Sequence, residues 1–501
     1  MSGESGRKRV GIVGGGVAGL MAAWELSRMG FDVELFEAAG ELGGLASSFD
    51  FDGINVERFY HFICRTDRAL IETCARLGIQ EKLAWRRTRT GYYHGGRLHA
   101  FSNSLDLLRF PSLSFLEKAR FGLHVLHSRR FTRWPVLEDM PATDWLVRAL
   151  GRRGYDVIWD PLLRVKFDDL HEGISAAWMW HRIHRVAASR RSVFHGEQFG
   201  RLEGGSDTLI RALESGARAN GARIHLRTRI NGLWIEGERC RGLNLAPTTA
   251  NGAMPATVAI PGPGTAGAVA GPGAPPALDG PSEKPGETGA RRVPFDYVIC
   301  ALPLPVFRDF IPPGPSKYME RIGEIQFIGV VCMILRLKER FTRNFWLNVN
   351  DPRIAFNGII EYSNLCGTEI FGGRSIVYIP FYTSSDRPRY RFSDEQLFAE
   401  YMAALRIIRP DFSEASVESY RVFRAAHAQP VCHVGFSRSV PPYETPWEGC
   451  YLVESTQLYP ADRVISGTLR LAQDVTLRIL DREGMAEASG IRWREAHEIP
   501  A

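Results

Sequence analysis

Val10-Gly11-Ile12-Val13-Gly14-Gly15-Gly16-Val17-Ala18-Gly19-Leu20 reads as a strand, a glycine turn and the start of a helix. Residues 9–13 form a short, mainly apolar run. Val17, Leu20, Met21 and Trp24 then recur at i, i+3, i+4, i+7, the spacing of one buried helix face. Gly30 stops that helix, and residues 32–36 supply a second strand that ends at Glu37. Gly14, Gly16 and Gly19 fit the pattern G-x-G-x-x-G. In that pattern the first glycine makes a tight turn, the second lets a pyrophosphate approach, and the third packs helix on strand. The backbone N–H groups at the helix start face an anion with partial positive charge. Glu37, about twenty residues on, is placed to accept the hydroxyls of an adenosine ribose.

A second glycine doublet decides between a nicotinamide and a flavin. In Gly40-Glu41-Leu42-Gly43-Gly44-Leu45-Ala46-Ser47-Ser48 the doublet falls just past the ribose acid, where a side chain would collide with a cofactor lying across the strand ends. Together the two glycine motifs resemble the FAD-containing amine oxidase superfamily, which includes protoporphyrinogen oxidase, phytoene desaturase and UDP-galactopyranose mutase. Leu45 stands where those enzymes usually carry arginine. The resemblance implies an α/β fold: a Rossmann-like FAD-binding domain of the GR2 type, a discontinuous α+β substrate domain and an inserted helical cap. Residues 1–100, 196–245, 293–305 and 441–485 would form the cofactor domain, 101–195 the cap, 306–440 the substrate domain and 486–501 a tail. Residues 246–292 consist largely of Pro, Gly, Ala and Thr without one aromatic side chain, and read as a disordered surface insertion.

With 501 residues and 45% hydrophobic content, the chain has room for two or three domains and a full core. Its net charge of +6 suits an anionic lipid surface or a phosphorylated substrate, and no nucleic-acid motif accompanies it. The eight cysteines are scattered, with no C-x-x-C pair and no histidine cluster at metal spacing, as expected of a reduced cytoplasmic protein without a metal. The N-terminus is not expected to act as a signal peptide, and nowhere do eighteen apolar residues run together. Any membrane contact is therefore expected to be peripheral.

The candidate place for such contact is residues 105–134, where Arg109, Lys118, Arg120, Arg129, Arg130 and Arg133 face only Asp106 and Glu117. Ser114-x-x-Glu117 is a capping box that starts a helix there. A broad apolar face with a basic surround fits an interfacial helix, and fits an ordinary soluble cap equally well.

The resemblance also assigns roles. Val17, Ala18, Ala38, Gly43, Gly44 and Leu45 join the glycines and Glu37 as FAD-binding positions. The backbone at Ile230 would touch the adenine, Glu454 would approach the ribityl or pyrophosphate region, and Gly467 would bring a helix N-terminus to the flavin carbonyl edge. Tyr60 and His61, in Arg58-Phe59-Tyr60-His61-Phe62, match a histidine loop that lies beside the flavin ring in the mutases. His61 is the candidate catalytic residue, since an imidazole can relay a proton or tune the flavin. Its alternative is a histidine merely hydrogen-bonded near the cofactor. Cys450 sits inside a strand, so the FAD is expected to be non-covalent. Gln326 replaces the lysine of several flavin amine oxidases.

Arg164, Lys166, Trp178 and Arg182 fall in stretches dense in tryptophan and cation. Together with Tyr60 they are read as a substrate site, with the cations holding a phosphate or carboxylate and tryptophan the apolar wall. The resulting expectation is hydride transfer between flavin N5 and an apolar, isoprenoid or lipid-linked substrate. Two rivals stay open: a redox-neutral sugar mutase using reduced FAD, and a lipid escort of the same fold that has lost FAD. The intact glycine set argues against the escort.

Overall fold

The dinucleotide turn belongs to a five-stranded parallel sheet in the computed structural model, which describes residues 7–189, 197–246, 291–356 and 358–491. Arg9–Val13 is the central strand, with Tyr297–Cys300 and then Cys450–Leu452 on one side, and Asp32–Phe36 and then Arg223–His225 on the other. The chain thus leaves the sheet three times, after Phe36, His225 and Cys300, and its last return is to the edge opposite Arg223–His225. The strands read as apolar runs because both faces are covered. The helices Val17–Arg28, Ser206–Ala219 and Ile465–Arg482 pack on one face through Leu20, Leu213 and Val475. An antiparallel sheet of Ile230–Glu236, Arg239–Leu245 and Arg291–Pro294 covers the other. Arg291 and Arg292, expected within the disordered insertion, are strand residues here. The rest of that insertion, 247–290, lies outside the described residues, as does most of the tail.

A second sheet has seven strands in the order Val417–Pro430, Phe327–Leu337, Ser375–Thr383, Gly358–Glu361, Trp346–Asn350, Thr90–His94, Arg97–Ala100. The helix Asp394–Ile408 lays Leu397, Tyr401 and Leu405 against Val331, Met333 and Leu335 of its long strand. The pair Thr90–His94 and Arg97–Ala100, grouped by sequence with the cofactor domain, belongs to this sheet. Trp346–Asn350 pairs with it in parallel, an adjacency that spans some 250 residues of chain.

Between the two sheets, helices from Ser104 to Ser189 form the cap. Phe115–Arg130 starts at the expected capping box, in which the Ser114 hydroxyl accepts from Glu117 N–H and the Glu117 carboxylate accepts from Ser114 N–H. The next helix, Ala142–Leu150, begins two residues before Asp144, so that acid sits in the first turn instead of capping it. Among the described residues, no helix is long and apolar enough to cross a membrane, and no group of three or more His, Cys, Asp or Glu is arranged to hold a metal ion.

Candidate active site

A cavity of about 1920 Å³ runs from the glycine turn, between the second sheet and the cap, to the helix Phe115–Arg130. Single-ligand pockets span roughly 300–1,000 Å³, so this one has room for a dinucleotide and a second molecule. At one end it is lined by Gly14, Gly16, Val17, Ala18, Glu37, Ala38, Gly43, Gly44, Leu45 and Ile230. The three fingerprint glycines differ in their surroundings. Gly14 has φ +105°, and a Cβ there would meet the Ala301 carbonyl at 2.4 Å. A Cβ on Gly19 would lie 2.0 Å from the Gly14 carbonyl, which is the close helix–strand contact. A Cβ on Gly16 would meet nothing within 4 Å, because it faces the cavity. Glu37 accepts Gly15 N–H on one carboxylate oxygen at 2.6 Å and Ala39 N–H on the other at 2.7 Å. Each oxygen keeps a lone pair for a sugar hydroxyl. An open glycine cradle, a helix N-terminus and a fixed acid together fit an adenine dinucleotide.

Two cofactor assignments change. Gly467 does not line the cavity; its missing side chain makes room for Leu458, whose Cδ2 lies 2.7 Å from where a Cβ would be. Arg463, Val464, Ile465, Ser466 and Thr468 line it instead, around the start of the helix Ile465–Arg482. Glu454 does line the cavity, but its carboxylate caps the turn Ser455–Leu458, accepting Thr456 N–H at 2.8 Å and the Ser455 hydroxyl at 2.7 Å. Cys450 is buried in its strand beside Cys240 and Cys300 and does not border the cavity.

At mid-cavity, His61 Nδ1 lies 3.5 Å from the Glu57 carboxylate, and His61 N–H donates to the same oxygen at 3.1 Å. Glu57 is buried and also accepts Ser206 N–H at 2.6 Å. Burial works to raise the Glu57 carboxyl, but the donors from His61 and Ser206 outweigh it and hold it below its ordinary value. Sequence reading did not select Glu57. Its only signal was the i, i+4 spacing to His61, and its contact with Ser206 spans 149 positions.

Tyr60 packs edge-on against Trp346 and Tyr378 and borders Tyr382; burial, then Tyr382, push its phenol well above its usual value. Lys166, from the helix Asp160–Phe167, donates to Asp462 Oδ2 at 3.2 Å, and Arg182, from Ala176–Ser189, donates to the same oxygen at 2.8 Å. Lys166 is 6% exposed, and burial pushes its ammonium down to about 8 against the pull of Asp462. Burial would raise Asp462, but Lys166 and Arg182 hold its carboxyl far below the usual range.

The other two residues of the expected substrate set lie outside the cavity wall. Arg164 points to solvent and pairs with Asp160 one helical turn back at 2.7 Å. Trp178 is fully buried behind the wall, edge-on to Phe167, with the Lys166 ammonium 5.1 Å and the Arg182 guanidinium 5.8 Å from its ring centre. Its helix faces the core at that position, so the ring supports the cations and is not a pocket wall.

A family model for flavin containing amine oxidoreductases matches residues 17–244 and 284–464. The chain belongs to that family. FAD is accordingly the dinucleotide that the glycine cradle fits. The chain is similar to mitochondrial protoporphyrinogen oxidase of Nicotiana tabacum, 31% identical over 164 residues, which is 32% of each chain. The matched segment thus spans about a third of that curated relative's length. Among solved structures, this family member resembles a protein of Exiguobacterium sp. 255-15 described as a candidate protoporphyrinogen oxidase (TM-score 0.69, 18% identity, 95% of this chain and 100% of the other). It also resembles reduced UDP-galactopyranose mutase (TM-score 0.67, 13% identity, 96% and 97%). At those identities the likeness is one of fold.

Proposed function

We propose that this FAD-dependent oxidoreductase desaturates or oxidises an apolar, isoprenoid or lipid-linked substrate taken up at an anionic membrane surface. When bound, FAD supplies hydride exchange at N5. The chain's own residues enclose the substrate, exclude water and hold protons. The observation that carries the reading is where the cavity ends. Leu107, Phe121, Val125 and Leu126 line its far wall, and Leu126 is also 45% exposed. On the outside of the same helix, Phe115 is 80%, Leu116 61% and Leu123 67% exposed, with Arg120, Arg129 and Arg130 also at the surface. An apolar surface rimmed by cations beside a cavity mouth suits an interface with anionic lipid.

His61, held by Glu57, is the residue placed to give or take a proton at mid-cavity. Three cations in the wall, Lys166, Arg182 and Arg463, disfavour an amine substrate, which would be positively charged.

The test is the visible spectrum of the purified protein under anaerobic conditions, before and after addition of lipid extract. Bleaching of a flavin band supports the reading. A flavin band that never bleaches overturns it in favour of a mutase or a water-soluble substrate, and a protein without a flavin band favours the escort. For the surface, sedimentation with anionic liposomes at low salt is expected to pellet the protein. A Leu116→Ser, Leu123→Ser double variant is expected to stay in the supernatant with stability changed by less than about 1 kcal/mol.

A further inference from the structure

Lys166, Arg182 and Arg463 reach one stretch of cavity wall from three separate segments: two cap helices and the turn before the closing helix. Asp462 is the carboxylate set among them, paired with both Lys166 and Arg182, and its field together with those of Arg182 and Arg463 acts on Tyr382. Three positive charges against one negative leave an excess of two. Of the neighbouring carboxylates that border the cavity, Glu41 pairs with Arg58 and Asp67 with Arg185, Glu57 sits against His61, and Glu454 is held by its own turn. An uncompensated cation in a buried wall is costly, so the excess is best neutralised by an anion that arrives with a ligand. Trp178 stiffens the site from behind, under Lys166 and Arg182. The phenols of Tyr60 and Tyr382 stay protonated there; Tyr60 hydrogen-bonds to Tyr382, which leaves the Tyr382 O–H as a donor that favours an anionic acceptor. Away from this cluster, the wall formed by Phe121, Val125, Leu126, Ile158 and Leu162 is apolar.

Resting on the oxidoreductase reading above, we infer that the substrate is an anionic amphiphile. Its carboxylate or phosphate head is received by Arg182 and Arg463, backed by Lys166, while its apolar chain runs toward the helix Phe115–Arg130. This assigns the head-group site to a cluster that includes Arg463 and excludes Arg164, and it sets the direction in which the substrate lies.

The test is a binding titration on the flavin-loaded protein, read by tryptophan fluorescence and by perturbation of the flavin band, with no turnover required. The probes are oleate against oleyl alcohol, farnesyl phosphate against farnesol, and inorganic phosphate alone. In at least one pair the anion is expected to bind about tenfold or more tightly than its alcohol. The pair with the larger preference identifies the head as carboxylate or phosphate. In Arg182→Gln, Arg463→Gln the preference is expected to fall below about threefold while the alcohols bind as before, and Arg182→Lys is expected to keep most of it. Equal binding of anion and alcohol in both pairs, or survival of the preference in the double variant, would overturn the inference. So would inorganic phosphate binding as tightly as farnesyl phosphate, since the site would then recognise no chain. Purification of the double variant without flavin, while Arg182→Lys keeps it, would also overturn it by assigning the cations to the cofactor. Because none of these readouts needs hydride transfer, failure here leaves the bleaching test standing, and failure of bleaching leaves the binding preference measurable.

Discussion

Gly16 and Gly19 occupy equivalent-looking places in one motif, and the space around them separates cofactor binding from folding. Gly16 has φ −70°, which any residue adopts, and its Cβ direction is open. A Gly16→Leu protein is expected to fold, with unchanged far-ultraviolet circular dichroism, and to purify without flavin. Gly19→Ala drives a methyl group into the Gly14 carbonyl and is expected to lower stability by about 1–3 kcal/mol in urea unfolding. Glu361 carries a separate prediction. It is fully buried and accepts Phe341 N–H and the Ser375 hydroxyl, and burial lifts its carboxyl to about 7 in spite of those donors. The folded state therefore holds this proton more tightly than the unfolded chain, whose value is near 4.5. That stabilisation is complete below the unfolded value and is lost as pH rises through about 7, by about 3 kcal/mol in all. The expected outcome is an unfolding free energy whose fall from about pH 5 to pH 8 is flatter in Glu361→Gln.

Among the elements, the helix Phe115–Arg130 carries the most function on the least local support. One side lines the cavity, the other meets solvent, and of its residues only His124 and Ser128 are buried. Ser114→Ala removes the capping box and is expected to cost about 1 kcal/mol, seen as faster amide exchange in the first turns of this helix. That helix was legible because its cap is a local code. The strand Val417–Pro430 was not anticipated, although Ala425, Ala426, His427, Ala428 and Gln429 all line the cavity. Its sequence mixes charged, aromatic and small residues without clean alternation. Its place in the sheet comes from pairing with Phe327–Leu337, roughly ninety positions earlier in the chain.

For the whole molecule, the cavity lies between two sheets and a cap that meet around the ligand, so occupancy and stability are coupled. FAD at about one hundred times its dissociation constant is expected to add about 2.7 kcal/mol, measured as a rise in melting temperature of apoprotein titrated with FAD. AMP is expected to reproduce part of that rise, since Glu37, Gly16 and Ile230 sit at the dinucleotide end.

The sequence alone determined the parallel strand–turn–helix unit, its FAD-type glycine doublet and the ribose acid, because each depends on residues within a few positions of one another. It also determined the capping box, and it singled out Lys166 and Arg182, both of which line the cavity. Only the tertiary structure decided that Asp462, 296 positions from Lys166 and 280 from Arg182, joins those two cations. The same packing turned Arg164 to solvent and buried Trp178, two outcomes that depend on which helix face meets the core. It moved the helix-start role from Gly467 to the residues around it, and gave Glu454 to its own turn. The physical reason is range. Backbone conformation and capping are set by neighbours in sequence, whereas the burial and charge balance of a site are set by whichever distant segments the fold brings against it.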